Sequence, residues 1–211
     1  MKKFIAIAGN IGVGKSTLVE MICGRLGWEP FFEGVVDNPY LADFYADMAA
    51  WSFHSQIFFL SRRLHDLRRL MDFPRSVVQD RSVYEDAEIF AKNLYRQGFV
   101  AERDWKTYCE LYQVLTELLP PPDLVIYLQA SVPTLLQRIA LRGRDYEKNI
   151  APDYLAQLNV LYEEWIARFT LCSVLTVPAD RLDFVANGEH LDLIIRKIQD
   201  KLRGEQLVLF D

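Results

Sequence analysis

The chain has 211 residues, 51% hydrophobic and 25% charged, with a formal net charge of −5. That length and mix suit one globular domain with a sizeable core, and the acidic balance argues against nucleic acid as a partner, which needs a basic face. Three scattered cysteines (Cys23, Cys109, Cys172) exclude a disulfide framework or zinc site, and no run reaches the length of a membrane span, so a cytoplasmic protein without a membrane partner is expected.

Taken in chain order, the first apolar run is FIAIA, residues 4–8. It follows two lysines but stops at Gly9, too early for a secretory signal core. Four more short runs follow: residues 30–33 (PFFE), 76–80 (SVVQD), 123–129 (DLVIYLQ) and 173–178 (SVLTVP). They are continuously apolar rather than alternating, as strands buried on both faces are. Helical patterns separate them at residues 15–27, 51–71, 84–98, 102–119, 132–143, 152–169 and 188–204. This alternation predicts an α/β fold: a five-stranded parallel sheet flanked by helices. No repeat or linker interrupts it, so residues 1–211 are read as a single domain, with a tail at about 204–211 that is either docked or disordered.

The first strand runs into Gly9-Asn10-Ile11-Gly12-Val13-Gly14-Lys15-Ser16-Thr17, which fits G-x-x-x-x-G-K-[ST] between a strand and a helix. Such glycines let successive N–H groups converge on one anion, and the helix N-terminus adds positive potential. Lys15 supplies a charge for the β- and γ-phosphates of ATP, and Ser16 a hydroxyl for Mg2+. Asp80, at the end of the third strand, is the matching metal carboxylate; its alternative reading as a helix cap is weaker because Ser82 fits the cap equally well. The strings of a GTPase switch, D-x-x-G and N-K-x-D, do not occur.

Farther on, Arg138 and Arg142 lie four apart on one helix face, and Arg144 follows Gly143. Three guanidiniums so close need an anion between them. An arginine lid over residues 138–150 would neutralise a phosphoryl group in flight and exclude water. The other reading is a solvated basic helix end. Glu33, placed at the carboxyl end of the second strand, could take a proton from an acceptor hydroxyl.

Together these stretches resemble the deoxyribonucleoside kinases. The likeness runs from about Phe4 to Phe184, anchored by GNIGVGKST, Glu33, WSFHSQ, DRSVYEDAEIFAKNLY, YLQA and RIALRGRDYE. It implies a P-loop kinase that moves the γ-phosphate of ATP to the 5′-hydroxyl of a deoxyribonucleoside. By that resemblance Glu33 is the base, and Arg81 holds the 5′ end. Tyr45 and Glu147 bind the 3′-hydroxyl. Gln56, Arg63 and Asp86 read the base edge, and Phe90 stacks on its face. Arg138, Arg142 and Arg144 form the lid, while Asp183 and Phe184 lie near adenine. The family's habit of pairing through helices implies a homodimer, with residues 102–115 as a candidate face.

Two positions depart from the family pattern. Gly34 stands where a proline usually follows the glutamate, and Asn38 where many members have a tryptophan lining the base pocket. The Arg63 and Asp86 pair suggests the cytidine and purine branch, and DNPYLADFY looks most like bacterial purine-preferring members, so deoxyadenosine or deoxyguanosine is the expected acceptor. The alternatives are a deoxycytidine kinase, a nucleoside monophosphate kinase, and a nucleotide-binding regulatory protein that transfers nothing.

Overall fold

A computed structural model describes residues 2–32, 38–144, 147 and 150–204. Its five strands are β1 (Phe4–Gly9), β2 (Glu29–Phe31), β3 (Val77–Asp80), β4 (Leu124–Gln129) and β5 (Ser173–Pro178). They form one parallel sheet in the order β2-β3-β1-β4-β5, the predicted architecture. Continuous burial of β1 and β3 matches their unbroken apolar sequence. β2 ends earlier than the apolar run suggested: it stops at Phe31, and Phe32 is exposed. Glu33 and Gly34 lie outside the described residues.

The chain divides into two compact units, Met1–Glu33 with Pro74–Arg81 and Pro122–Asp211, and Gly34–Phe73 with Ser82–Pro121. The first unit holds the sheet with α1 (Lys15–Leu26), α7 (Val132–Arg142), α8 (Pro152–Arg168) and α9 (Gly188–Arg203). Side chains alternate across a strand. Leu124, Ile126 and Leu128 of β4 therefore enter one cluster with Ile5, Ile7, Leu18, Ile22, Ile139 and Ile194, all buried. Tyr127, between them, stacks on Tyr162 of α8 at 5.7 Å, so helices cover both faces.

The second unit is helical. It contains α2 (Leu41–Ala46), α3 (Met48–Asp72), α4 (Val83–Glu85), a π-helical stretch (Asp86–Ala91), α5 (Lys92–Arg96) and α6 (Glu102–Leu118). Sequence reading missed α2, whose six residues bury no side chain. It also began α3 three residues late. Asp47 caps that helix by accepting from the Ala50 N–H at 3.1 Å. Ser82 opens α4 with a capping box, its N–H donating to Glu85 at 2.9 Å. Asp80 is therefore not the cap.

Candidate active site

On the sheet unit, the loop after β1 is shaped by close packing. A Cβ on Gly9 would lie 2.7 Å from the Leu128 carbonyl, and one on Gly12 would lie 2.6 Å from Ile139 and 3.0 Å from the Leu135 carbonyl. Only glycine fits where the loop passes β4 and α7 this closely, and both residues also have positive φ. Gly14 then opens α1 in the left-handed region. The result is a helix N-terminus whose first N–H groups lack intrahelical partners, facing the loop.

Lys15 is 8% exposed. Its ammonium donates to the carbonyls of Gly9 at 2.7 Å and Asn10 at 3.1 Å. Ser16 donates to Asp80 at 2.5 Å, bringing a hydroxyl and a buried carboxylate together at the carboxyl ends of two neighbouring strands. Hard oxygen donors of this kind suit Mg2+. Directly after Asp80, Arg81 is the one non-glycine residue with positive φ among those described, at 65°. Left-handed backbone costs a residue with a Cβ free energy, and it clusters at functional positions.

The three arginines separate into two jobs. Arg138 is half-buried and donates to the Val13 carbonyl at 2.7 Å and the Ala179 carbonyl at 2.8 Å, tying the phosphate loop to the segment after β5. Arg142 instead holds Glu147 through two donors, at 3.0 and 2.6 Å, and Arg144 approaches the same carboxylate at 3.6 Å. Arg142 and Arg144 thus share the carboxylate of Glu147, itself 6% exposed. Phe184 is buried with its ring 3.4 Å from where a Cβ on Gly14 would sit. The Asp183 carboxylate accepts from the N–H groups of Ala186 and Val185, and the Ala186 bond leads in holding its pKa below the usual 3.8.

Two residues on this unit went unnoticed in the sequence. Asn10 donates to the Leu155 carbonyl at 2.9 Å and to Asn159 at 2.8 Å, and the Tyr162 hydroxyl donates to the Gly9 carbonyl at 2.8 Å. Asn159 and Tyr162 lie about one turn apart on α8, far along the chain from the loop, and no local motif signals such a contact.

The helical unit carries a second constellation. Arg63 and Asp86 form a buried ion pair, 3.0 Å apart and 5% and 6% exposed by side chain. Asp86 and Phe90 both lie in the π-helical stretch. Such stretches shift side chains off the α-helical register and are frequent at functional sites. Gln56 is buried on α3 seven residues before Arg63, so the two share a face. Burial first, then the Asp86 carboxylate, hold the Tyr108 phenol well above its usual 10.0. Tyr45 is 58% exposed on α2, and Phe90 is half-buried. Asn38, in place of the tryptophan, is buried. It donates to Ser55 at 3.1 Å and accepts from the Tyr40 N–H at 2.9 Å, so its amide is committed to bracing the approach to α3.

A phosphate loop followed by a metal-type oxygen pair on one unit, and a buried arginine–aspartate pair on the other, narrow the families this chain can join. The deoxynucleoside kinase family model matches residues 5–203. The chain belongs to the deoxynucleoside kinase family. It is 38% identical to the deoxyadenosine/deoxycytidine kinase of Bacillus subtilis, over 96% of this chain and 94% of that one. It is 37% identical to the deoxyguanosine kinase of the same organism, over 93% and 96%. A solved deoxyadenosine kinase from M. mycoides, with dCMP and dCDP bound, superposes with a TM-score of 0.81 at 34% identity, covering 93% of this chain and 99% of that one. This deoxynucleoside kinase is therefore an ATP-dependent enzyme that phosphorylates a deoxyribonucleoside.

Proposed function

We propose that the enzyme transfers the γ-phosphate of ATP to the 5′-hydroxyl of a purine deoxyribonucleoside, deoxyadenosine or deoxyguanosine. The observation that carries the choice against thymidine is the buried Arg63–Asp86 pair, and the likeness of DNPYLADFY to bacterial purine-preferring members supports the purines within that branch. A carboxylate fixed by a guanidinium accepts from the exocyclic amino group of adenine or from the protonated ring nitrogen of guanine. Arg63 would donate to N7 or a carbonyl oxygen of the base. Thymine lacks the exocyclic amino donor and sets a carbonyl acceptor in its place against the Asp86 carboxylate. The B. subtilis relatives named for deoxyadenosine, deoxycytidine and deoxyguanosine support the same branch.

In this reading the reaction divides among the chain's own residues. The main-chain N–H groups from Gly9 to Thr17 and Lys15 bind the ATP phosphates. Ser16 and Asp80 would hold Mg2+, which supplies charge neutralisation for the phosphates when bound. Arg81 holds the 5′ end of the sugar, and Glu33 takes the proton from the 5′-hydroxyl. Gln56, Arg63 and Asp86 read the base edge, Phe90 stacks on it, and Tyr45 and Glu147 receive the 3′-hydroxyl. Arg142 and Arg144 close over the transferring group, exchanging part of their hold on Glu147 for phosphate oxygens. Arg138 assists through Val13, which its guanidinium holds in place.

The family match spans both compact units, which supports one kinase domain. A second copy of the chain fits α6. Leu111, Val114 and Leu118 line one face at helical spacing and are 40%, 56% and 76% exposed. Cytoplasmic residence accords with three free cysteines, of which Cys23 has its thiol pushed up to about 12 by burial. No described helix is long and apolar enough to cross a membrane.

Incubation with radiolabelled ATP and deoxyadenosine or deoxyguanosine tests the reading. Label is expected at the 5′ position of the nucleoside. Label on a nucleoside monophosphate acceptor alone, or on water, would overturn it.

A further inference from the structure

Lys15 does not wait at an empty place. Its ammonium is held by the Gly9 and Asn10 carbonyls, and the phosphate role requires it to move off them. The Gly9 oxygen has a second donor, the hydroxyl of Tyr162, a fully buried residue of α8. The Asn10 side chain is fastened to the same helix through Leu155 and Asn159, and Asn159 is itself anchored to the Ala130 carbonyl at 3.0 Å. Thus α8 holds both residues whose carbonyls park the lysine.

We propose that Tyr162 is a positioning residue that sets the affinity for ATP by sharing the Gly9 carbonyl with Lys15. The inference rests on the reading of Lys15 as a phosphate ligand. A carbonyl oxygen offers two lone pairs, and two donors on one oxygen each bind it less tightly than either alone. Tyr162 stays where it is when Lys15 leaves, because its ring is clamped against Tyr127 and Trp165. The oxygen then keeps a donor in a buried place where a lost one is costly. Without the hydroxyl the oxygen leans more on Lys15, and drawing the lysine to phosphate costs correspondingly more. No group is transferred in this step. An ammonium exchanges one set of acceptors for another.

The test compares wild type, Tyr162→Phe, Lys15→Met and the double variant, by steady-state kinetics and by the rise in Tm on adding ATP with Mg2+. Tyr162→Phe keeps the ring and its stacking. It is expected to raise the KM for ATP about three- to tenfold, the worth of one hydrogen bond, with the KM for the deoxynucleoside unchanged and kcat reduced less than about twofold. The ATP-induced rise in Tm should shrink, while the Tm without nucleotide should barely move. In the Lys15→Met background the same substitution should leave the ATP response unaltered, since no lysine remains to be released.

A merely structural tyrosine would lower the Tm without nucleotide and leave the KM for ATP in place, which would overturn the proposal. Equal weakening of ATP in both backgrounds would also overturn it. If Lys15→Met itself binds and uses ATP like wild type, the phosphate reading falls with it. That result is distinct from a Lys15→Met variant that loses ATP while Tyr162→Phe keeps it, which would sink the tyrosine alone.

Discussion

Under the proposed function, the phosphate loop and the helical unit meet different recognition problems with different materials. From Gly9 to Thr17 the candidate ligands are main-chain N–H groups, one lysine and one hydroxyl, contiguous in sequence and held by carbonyls and buried amides. In the helical unit they are side chains gathered from α2, α3 and the π-helical stretch, centred on a buried ion pair. Phosphate is the same in every nucleotide, so backbone geometry suffices to hold it. A base must be told from other bases, and that takes donors and acceptors which only side chains supply.

Substitutions can break this contrast. The largest effect is expected at Glu33, where Glu33→Gln should lower kcat by about 10²–10⁴ through loss of the base. ATP binding, measured by its rise in Tm, should stay as in wild type; an unaltered kcat would remove Glu33 from the chemistry.

Next comes the ion pair. Arg63→Met should cost about 3–5 kcal/mol in urea unfolding, because it strands the buried Asp86 carboxylate. Arg63→Met with Asp86→Leu should recover most of that stability and none of the activity. If activity returns with stability in the double variant, the pair serves folding rather than recognition.

Arg138→Met removes two charged hydrogen bonds to carbonyls of the sheet unit. It should raise the KM for ATP roughly tenfold and leave the KM for the deoxynucleoside alone. Equal rises in both constants would erase the contrast between the two regions.

The smallest effect concerns pH. Burial keeps the folded Cys23 thiol protonated up to about 12, against an ordinary value of 9.0. The folded state therefore binds the proton more tightly, and stability from this group is fully present below about pH 9 and lost as pH rises towards 12. Thermal melts from pH 8 to 10 should show a downturn above 9 that is weaker in Cys23→Ala.

Legibility in the sequence followed the range of the interaction. β1, β3, β4 and β5 could be read because strands buried on both faces are continuously apolar. β2 could not be bounded because its three half-buried residues carry little signal. The π-helical stretch has an ordinary amphipathic sequence; a hydrogen-bond shift leaves no periodic trace. The phosphate loop was legible because its chemistry is local. Its bracing by Asn159 and Tyr162 was not, since those contacts span 149 and 153 residues. A cluster of three arginines was legible, but not that Arg138 would hold two carbonyls while Arg142 and Arg144 meet Glu147. Gln56, Arg63 and Asp86 emerged through resemblance rather than spacing, and the structure adds that Arg63 and Asp86 meet as a buried pair.

The most direct test of the central claim is the specificity constant, kcat/KM, of the purified enzyme for deoxyadenosine, deoxyguanosine, deoxycytidine and thymidine, with ATP as donor. The account predicts the highest value for one of the two purines and the lowest for thymidine. Deoxycytidine or thymidine as the best substrate would contradict it.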